Sequence, residues 1–218
     1  MSHTSIYYLK YSTNLKDIGS VPQGQFKYYP GTDYESIDFS LDLSKVIAGI
    51  ELTAQAQLTD FLNIVDCMMP RGMVFSDKAQ FAIKELKLPP VQTLTTSARN
   101  MRYQGEYWVN LFDYQFYDYI NYKGSKFIAR GILADDIEFV SEDKIDFEEK
   151  MNDAVKKRRF EILPQLVYLK EELINNYDLF SFPKLGTALY ATENFLQVYK
   201  NLGFSGLEFE QIECFKFV

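Results

Sequence analysis

The segment Tyr107 to Tyr119 (YWVNLFDYQFYDY) constrains the fold more than any other part of the chain. It is dense in aromatic and aliphatic residues, the types that fit a pleated, half-buried surface. It reads as one long strand or a bent pair, with Tyr107, Val109 and Leu111 on one face and a bulge re-phasing the later residues. A chain with such a strand has to build a sheet around it. Partner strands are expected at Ser5–Tyr11, Met73–Phe75, Val91–Thr96 and Leu207–Ile212. Another is expected at Lys126–Ile132, after a turn at Asn121–Ser125. Ser36–Leu43 (SIDFSLDL) alternates Ile37, Phe39, Leu41 and Leu43 against Asp38, Ser40 and Asp42, which is a strand with one wet face.

Helices are expected between these strands. Ser76 is an N-cap with Asp77 in the first turn, opening a helix to Leu86 that stops before Pro89-Pro90. Thr192 and Glu193 open a second, to Leu202, and Gly203 ends it. Ile162, Leu166, Leu169, Leu173 and Ile174 have helical spacing, so a third helix is expected over Glu161–Tyr177, with Pro164 in its first turn. Breakers at Gly19, Pro22, Gly24, Pro30 and Gly31 predict loops and short extended pieces over residues 12 to 36. Phe61–Cys67 reads as a short strand or helix, and Glu51–Asp60 favours neither.

The expected class is α+β: mixed or antiparallel sheets with a few packed helices. The two capped helices also superimpose without a gap. Ser76 falls on Thr192, Asp77 on Glu193, Lys84 on Lys200, Leu86 on Leu202, Leu88 on Phe204 and Val91 on Leu207. This suggests two similar strand–helix–strand units. The chain of 218 residues is 47% hydrophobic, enough for a sizeable core. One domain over 1–218 is expected; the duplicated alternative has halves at about 1–130 and 131–218.

Counting removes most catalytic chemistry. The one histidine, His3, sits at the extreme terminus, so a Ser-His-Asp or Cys-His pair has little to build on. No zinc spacing, phosphate loop, dinucleotide fingerprint or calcium loop is present, and no cofactor is implied. Cys67 and Cys214 are expected as reduced thiols. Asp113 and Asp118 lie among aromatics, which keeps open a carboxylate-based hydrolase, and the aromatic tract keeps open a small-ligand or carbohydrate-binding module. The net charge of −7 argues against nucleic acid and against an anionic membrane surface. No apolar run reaches membrane length and no signal peptide is visible, so a cytoplasmic location is expected.

Two features point to protein binding. One is the aromatic tract Tyr103, Tyr107, Trp108, Tyr114, Tyr117, Tyr119 and Tyr122, of types that dominate interface hot spots. The other is the acidic run from Asp135 to Glu149, including Asp136, Glu138, Glu142 and Asp143, which reads either as a solvated face or as a cover for a basic groove.

The segment YATENFLQVYKNLGFSGLEFEQI places Thr192, Phe195, Leu202, Gly203, Phe204, Ser205, Gly206, Leu207, Glu208 and Phe209 in a distinctive order. The middle region carries Tyr107, Trp108, Val109, Asn110 and Leu111, then Asp118 or Asn121. Over about Gly72 to Ile212 the chain resembles the eleventh immunity-protein family of bacterial polymorphic toxin systems. That resemblance implies a non-enzymatic antidote with no catalytic residues, which binds a cognate toxin in the producing cell. The acidity points to a basic toxin.

Overall fold

In the computed structural model, three sheets carry the fold. The structure describes residues 5–32, 40–67, 72–114, 116–131, 135–157, 159–186 and 188–218. The strands are β1 (Ile6–Tyr11), β2 (Gly24–Tyr28), β3 (Ile47–Leu52), β4 (Phe61–Leu62), β5 (Gly72–Ser76), β6 (Val91–Arg99) and β7 (Gln104–Phe112). They continue as β8 (Ile120–Gly131), β9 (Ile137–Val140), β10 (Arg159–Leu169), β11 (Leu179–Ser181), β12 (Leu189–Thr192), β13 (Leu207–Ile212) and β14 (Phe215–Phe217). The helices are α1 (Leu15–Ile18), α2 (Asp77–Ala82), α3 (Lys144–Lys156), α4 (Glu172–Asn176) and α5 (Glu193–Asn201). The class is α+β and dominated by sheet.

The sheet orders are β2-β3-β6-β7-β5-β4, β11-β12-β1-β13 and β14-β10-β8-β9. Pairing is antiparallel except at β3–β6 and β10–β14. The larger core draws on all three sheets: Ile6 and Leu189, Met73 and Phe75, Phe127 and Val167. A smaller core covers the other face of the six-stranded sheet, where Tyr107, Val109 and Leu111 meet Phe26 and Ile50. β5 and the second half of β7, from Val109 to Phe112, are therefore buried on both faces.

Two units share one topology. In the first, β5 runs into α2 and on to β6, with β7 inserted between the two strands and β4 outside β5. In the second, β12 runs into α5 and on to β13, with β1 inserted and β11 outside β12. The inserted strand follows its unit in the first case and opens the chain in the second. The spatial grouping therefore takes β1 out of the first half of the sequence.

Reciprocal aspartates clasp the units. Asp60, just before β4, accepts Ser76 Oγ at 2.9 Å, and also the backbone N–H and hydroxyl of Ser205 at 3.0 Å each, from the loop after α5. Asp178, just before β11, accepts Thr192 Oγ1 at 2.8 Å and the Lys87 N–H at 2.9 Å, from the loop after α2. Each carboxylate thus joins its own unit's cap residue to the other unit's post-helix loop. Beside this clasp Gly206 has φ 102°, and a Cβ there would meet Phe61 O at 2.2 Å, so only glycine fits.

The capped helices form as their end signals predict. The Ser76 hydroxyl accepts the Ala79 N–H, and α2 continues through a 3-10 turn at Ile83–Glu85. Thr192 stands at the N-cap of α5 but spends its hydroxyl on Asp178. At the other end, Gly203 N–H donates to Lys200 O and Phe204 N–H to Tyr199 O, a Schellman closure with Gly203 at φ 61°.

Several expectations change. Most of the helix predicted over Glu161–Tyr177 is strand β10, followed by the short α4. Its register slips between Pro164 and Leu166, where a residue lacking an N–H is tolerated. The slip moves the buried phase from Ile162 to Val167 and Leu169, and that jump imitates helical spacing. The long strand or bent pair predicted over Tyr107–Tyr119 ends at Phe112, and after a 3-10 turn at Tyr117–Tyr119 the chain enters β8 of another sheet at Ile120. The turn predicted at Asn121–Ser125 is a wide bulge inside β8, pinned by Ser125 Oγ, which donates to Asn121 O and accepts the Tyr168 N–H. Within 12–36 the extended piece is β2, and the change is the short helix α1. Residues 36–39 of the expected SIDFSLDL strand lie outside the described residues; Leu43 begins a 3-10 turn.

Candidate functional site

The structure disperses the aromatic tract. Tyr107 and Tyr114 are 3% and 8% exposed, so both are core side chains and a partner cannot reach them; this corrects their assignment to a binding surface. The second core buries Tyr107 on the face of β7 that would otherwise be wet, whereas Tyr114, beyond the end of β7, is buried in the larger core. The Tyr107 hydroxyl donates to Thr59 O at 2.9 Å, and Tyr114 stacks between Phe112 and Phe116. Trp108 is half-buried, and its indole N–H donates to Asp77 Oδ1 at 2.6 Å, fastening α2 to the sheet. Tyr117 is half-buried, sits edge-on to Phe182 and accepts the Lys184 N–H at 2.5 Å. Tyr122 is buried, whereas Tyr103, in the hairpin between β6 and β7, is exposed.

The acidic run stays on the surface and gains a shape. Asp135, Asp136, Glu138, Glu142 and Asp143 are all exposed. Asp143 caps α3 by accepting the Asp146 N–H at 2.9 Å. Asp146 accepts the Glu142 N–H and pairs with Lys150 at 2.7 Å. The Lys150 ammonium, first, and that N–H hold the Asp146 carboxyl below the usual carboxylate range. Glu138 accepts from Gln165 at 2.6 Å, and Asp136 lies 3.4 Å from Arg130. Phe147 and Ala154 face the sheet, and Phe147 meets Tyr122, Phe127 and Phe139. Asp146, Glu149 and Asp153 follow one another along the helix edge nearest β9. Between that edge and β9 runs a groove of about 430 Å³ with Ala129, Ile137, Phe139 and Ala154 in its wall. From Asp135 to Lys157 there are nine carboxylates against four lysines, most of the chain's net charge of −7.

A second hollow lies where α4 approaches the loop after α2. Its volume is about 670 Å³, and Asp113, Phe116, Asp118, Tyr119, Lys170 and Tyr177 line it. The two carboxylates singled out in the sequence therefore do line one cleft. Asp118 pairs with Lys144 at 2.8 Å, which holds its carboxyl low. Pro90 and Tyr177 also line an adjoining hollow of about 540 Å³ that reaches Asn110. The Asn110 amide N–H groups go to Gln80 Oε1 and Trp108 O, and its buried Oδ1 has no hydrogen-bond partner.

No protein-family profile matches the chain, and no curated protein matches it. Among the described residues, no helix is long and apolar enough to cross a membrane. No group of three or more His, Cys, Asp or Glu among them is placed to hold a metal ion. Cys67 and Cys214 are free thiols, Cys67 in the smaller core and Cys214 against the larger.

The sequence reading missed Asp60 and Asp178. Their signal was an echo, Asp60-Phe61-Leu62 against Asp178-Leu179-Phe180, each ahead of a Ser or Thr cap.

Proposed function

We propose that this chain is a non-enzymatic immunity protein that binds a cognate bacterial toxin in the cytoplasm and silences it by covering its working surface. The observation that carries this reading is the α3–β9 face, an exposed array of carboxylates beside an apolar groove. Such a face raises the encounter rate with a basic protein and supplies apolar area once contact is made. The resemblance to an immunity family over Gly72 to Ile212 supports the same reading. Of the aromatic tract Tyr103 is exposed, and Trp108, Tyr117 and Tyr119 keep part of their surface, though Trp108 and Tyr117 already serve internal contacts. The partner is a basic toxin, and the carboxylates supply rate more than affinity.

The test is co-purification with the product of the neighbouring gene, followed by growth of cells making that product with and without this chain. Complex formation that weakens from 50 mM to 300 mM salt, together with rescued growth, supports the reading. A toxin that neither binds nor is silenced ends it.

One observation favours a second reading. Asp113, Asp118, Tyr119 and Tyr177 share a cleft, an arrangement suited to a small ligand such as a sugar. Binding of neutral oligosaccharides that is lost in Tyr177→Ala would move the function to that cleft.

A further inference from the structure

The mode of docking follows from the edge that β9 leaves open, given the protein-binding reading above. β9 ends its sheet: β8 pairs with one side of it, Lys126 with Val140 through Ala129 with Ile137. Among the described residues no backbone group bonds its other side, and the cover there is Lys150 Nζ, which donates to Val140 O at 2.8 Å. An exposed strand edge is a template for another strand, and proteins blunt such edges with lysine, proline or inward charge. Here Lys150 covers one carbonyl of the edge, and the strand also carries Ile137 and Val140, 45% and 54% exposed.

The groove beside it matches the side chains of an added strand. Successive strand residues face opposite ways, so every second residue of an incoming segment enters the space between β9 and α3. Ile137 and Ala154 offer an apolar wall there, and Asp146, Glu149 and Asp153 a charged one. That combination suits long cationic side chains, whose stems lie on apolar surface while their heads reach carboxylates. Arginine suits it best, because its planar fork grips a carboxylate with two hydrogen bonds. Lys150 and Lys157 already neutralise Asp146 and Asp153 in part, so the incoming cation competes with the exposed Lys157 and with Lys150, which also holds Val140 O.

We infer that the partner docks by adding an extended segment to the free edge of β9, with arginine or lysine at alternate positions facing α3. Main-chain hydrogen bonds along Ile137–Val140 give the register, and the groove selects the basic side chains.

A synthetic peptide of alternating arginine and valine, seven residues long, tests this against the full chain. Its control has the same sequence with alternate backbone amides N-methylated, which keeps the charge and removes the strand donors. The unmodified peptide is expected to bind at least about tenfold more tightly than the methylated one, a difference of about 1.4 kcal/mol. It should also slow backbone hydrogen exchange at Ile137–Val140. The double variant Ile137→Lys, Val140→Lys alters exposed side chains alone, so it should melt like the parent and lose the peptide. Equal binding of the two peptides would reduce the contact to charge attraction and overturn the inference. Absence of binding by the unmodified peptide, or protection at strands other than β9, would overturn it equally. The antidote reading fails separately: a silenced toxin whose complex leaves β9 amides unprotected spares that reading and removes this one. Peptide addition at β9 without any toxin silencing does the reverse.

Discussion

Replacing Asp178 with alanine perturbs the clasp between the two units most directly. Asp178 is 4% exposed and accepts three donors: the Lys87 N–H at 2.9 Å, the Thr192 hydroxyl at 2.8 Å and the Asn194 amide at 3.1 Å. A hydrogen bond to a charged acceptor contributes about 1.5–3 kcal/mol, and a stranded buried donor costs about 1–3 kcal/mol. Lys87 and Asn194 are both exposed, so water recovers part of their loss. The Thr192 hydroxyl, 4% exposed, recovers little. The expected destabilisation is about 3 kcal/mol, or a melting-temperature drop of about 6–12 °C in a chain of this size. Asp178→Asn should cost only about 1 kcal/mol. Its carbonyl can still accept from Lys87 and Asn194, while its amide donates to a Thr192 hydroxyl that rotates to accept. Urea unfolding followed by circular dichroism and by the fluorescence of Trp108 measures both variants. An Asp178→Ala protein within about 0.5 kcal/mol of the parent would refute the clasp as a stabilising device. Equal losses for Ala and Asn would refute the assignment of donors and acceptors.

Other outcomes follow from the same structure. Asp60→Ala should destabilise by a similar but smaller amount, about 2 kcal/mol in the same unfolding assay, because Asp60 is only half-buried. Tyr107→Phe should cost about 1 kcal/mol, the hydrogen bond to Thr59 O, whereas Tyr107→Ala should cost about 3–5 kcal/mol as a core truncation. Burial pushes the Cys67 thiol and the Tyr28 hydroxyl each up to about 12. Groups whose pKa is raised by folding stabilise the protein below their unfolded pKa, so the melting temperature should begin to fall above about pH 9 and keep falling toward 12. In native protein at pH 8 iodoacetamide should leave Cys67 intact, whereas it should label it in urea; mass spectrometry reads both. Changing Asp135, Asp136, Glu138 and Glu142 to lysine should leave the melting temperature within about 2 °C and weaken toxin binding at least about tenfold at low salt.

Local signals were legible and long-range ones were not. α2 and α5 could be read because Ser76, Thr192, Pro89 and Gly203 mark their ends chemically. α3 escaped notice because its apolar stripe is only Phe147, Met151 and Ala154 among many charges. β10 was mistaken for helix because one slip at Pro164 re-phased its buried residues. The acidic run could be placed on the surface from composition alone, since so many carboxylates cannot be buried together. Its open edge and groove could not, because they depend on β9 finding β8 and on no described residue pairing beyond it. The aromatic tract dispersed for the complementary reason: residues 43–67 supply a second core that takes Tyr107, while Tyr114 and Tyr122 turn into the larger core. Asp60 and Asp178 were invisible as a pair because each finds its partners in the loop of the other unit.

Hydrogen exchange of this chain, alone and with the toxin encoded beside it, tests the binding face most directly. Protection gathered at Ile137–Val140 and along the first turns of α3, with the rest of the molecule unchanged, is the predicted pattern. Protection around Pro90 and Tyr177, or a bound toxin that leaves the acidic face exchanging freely, would contradict it.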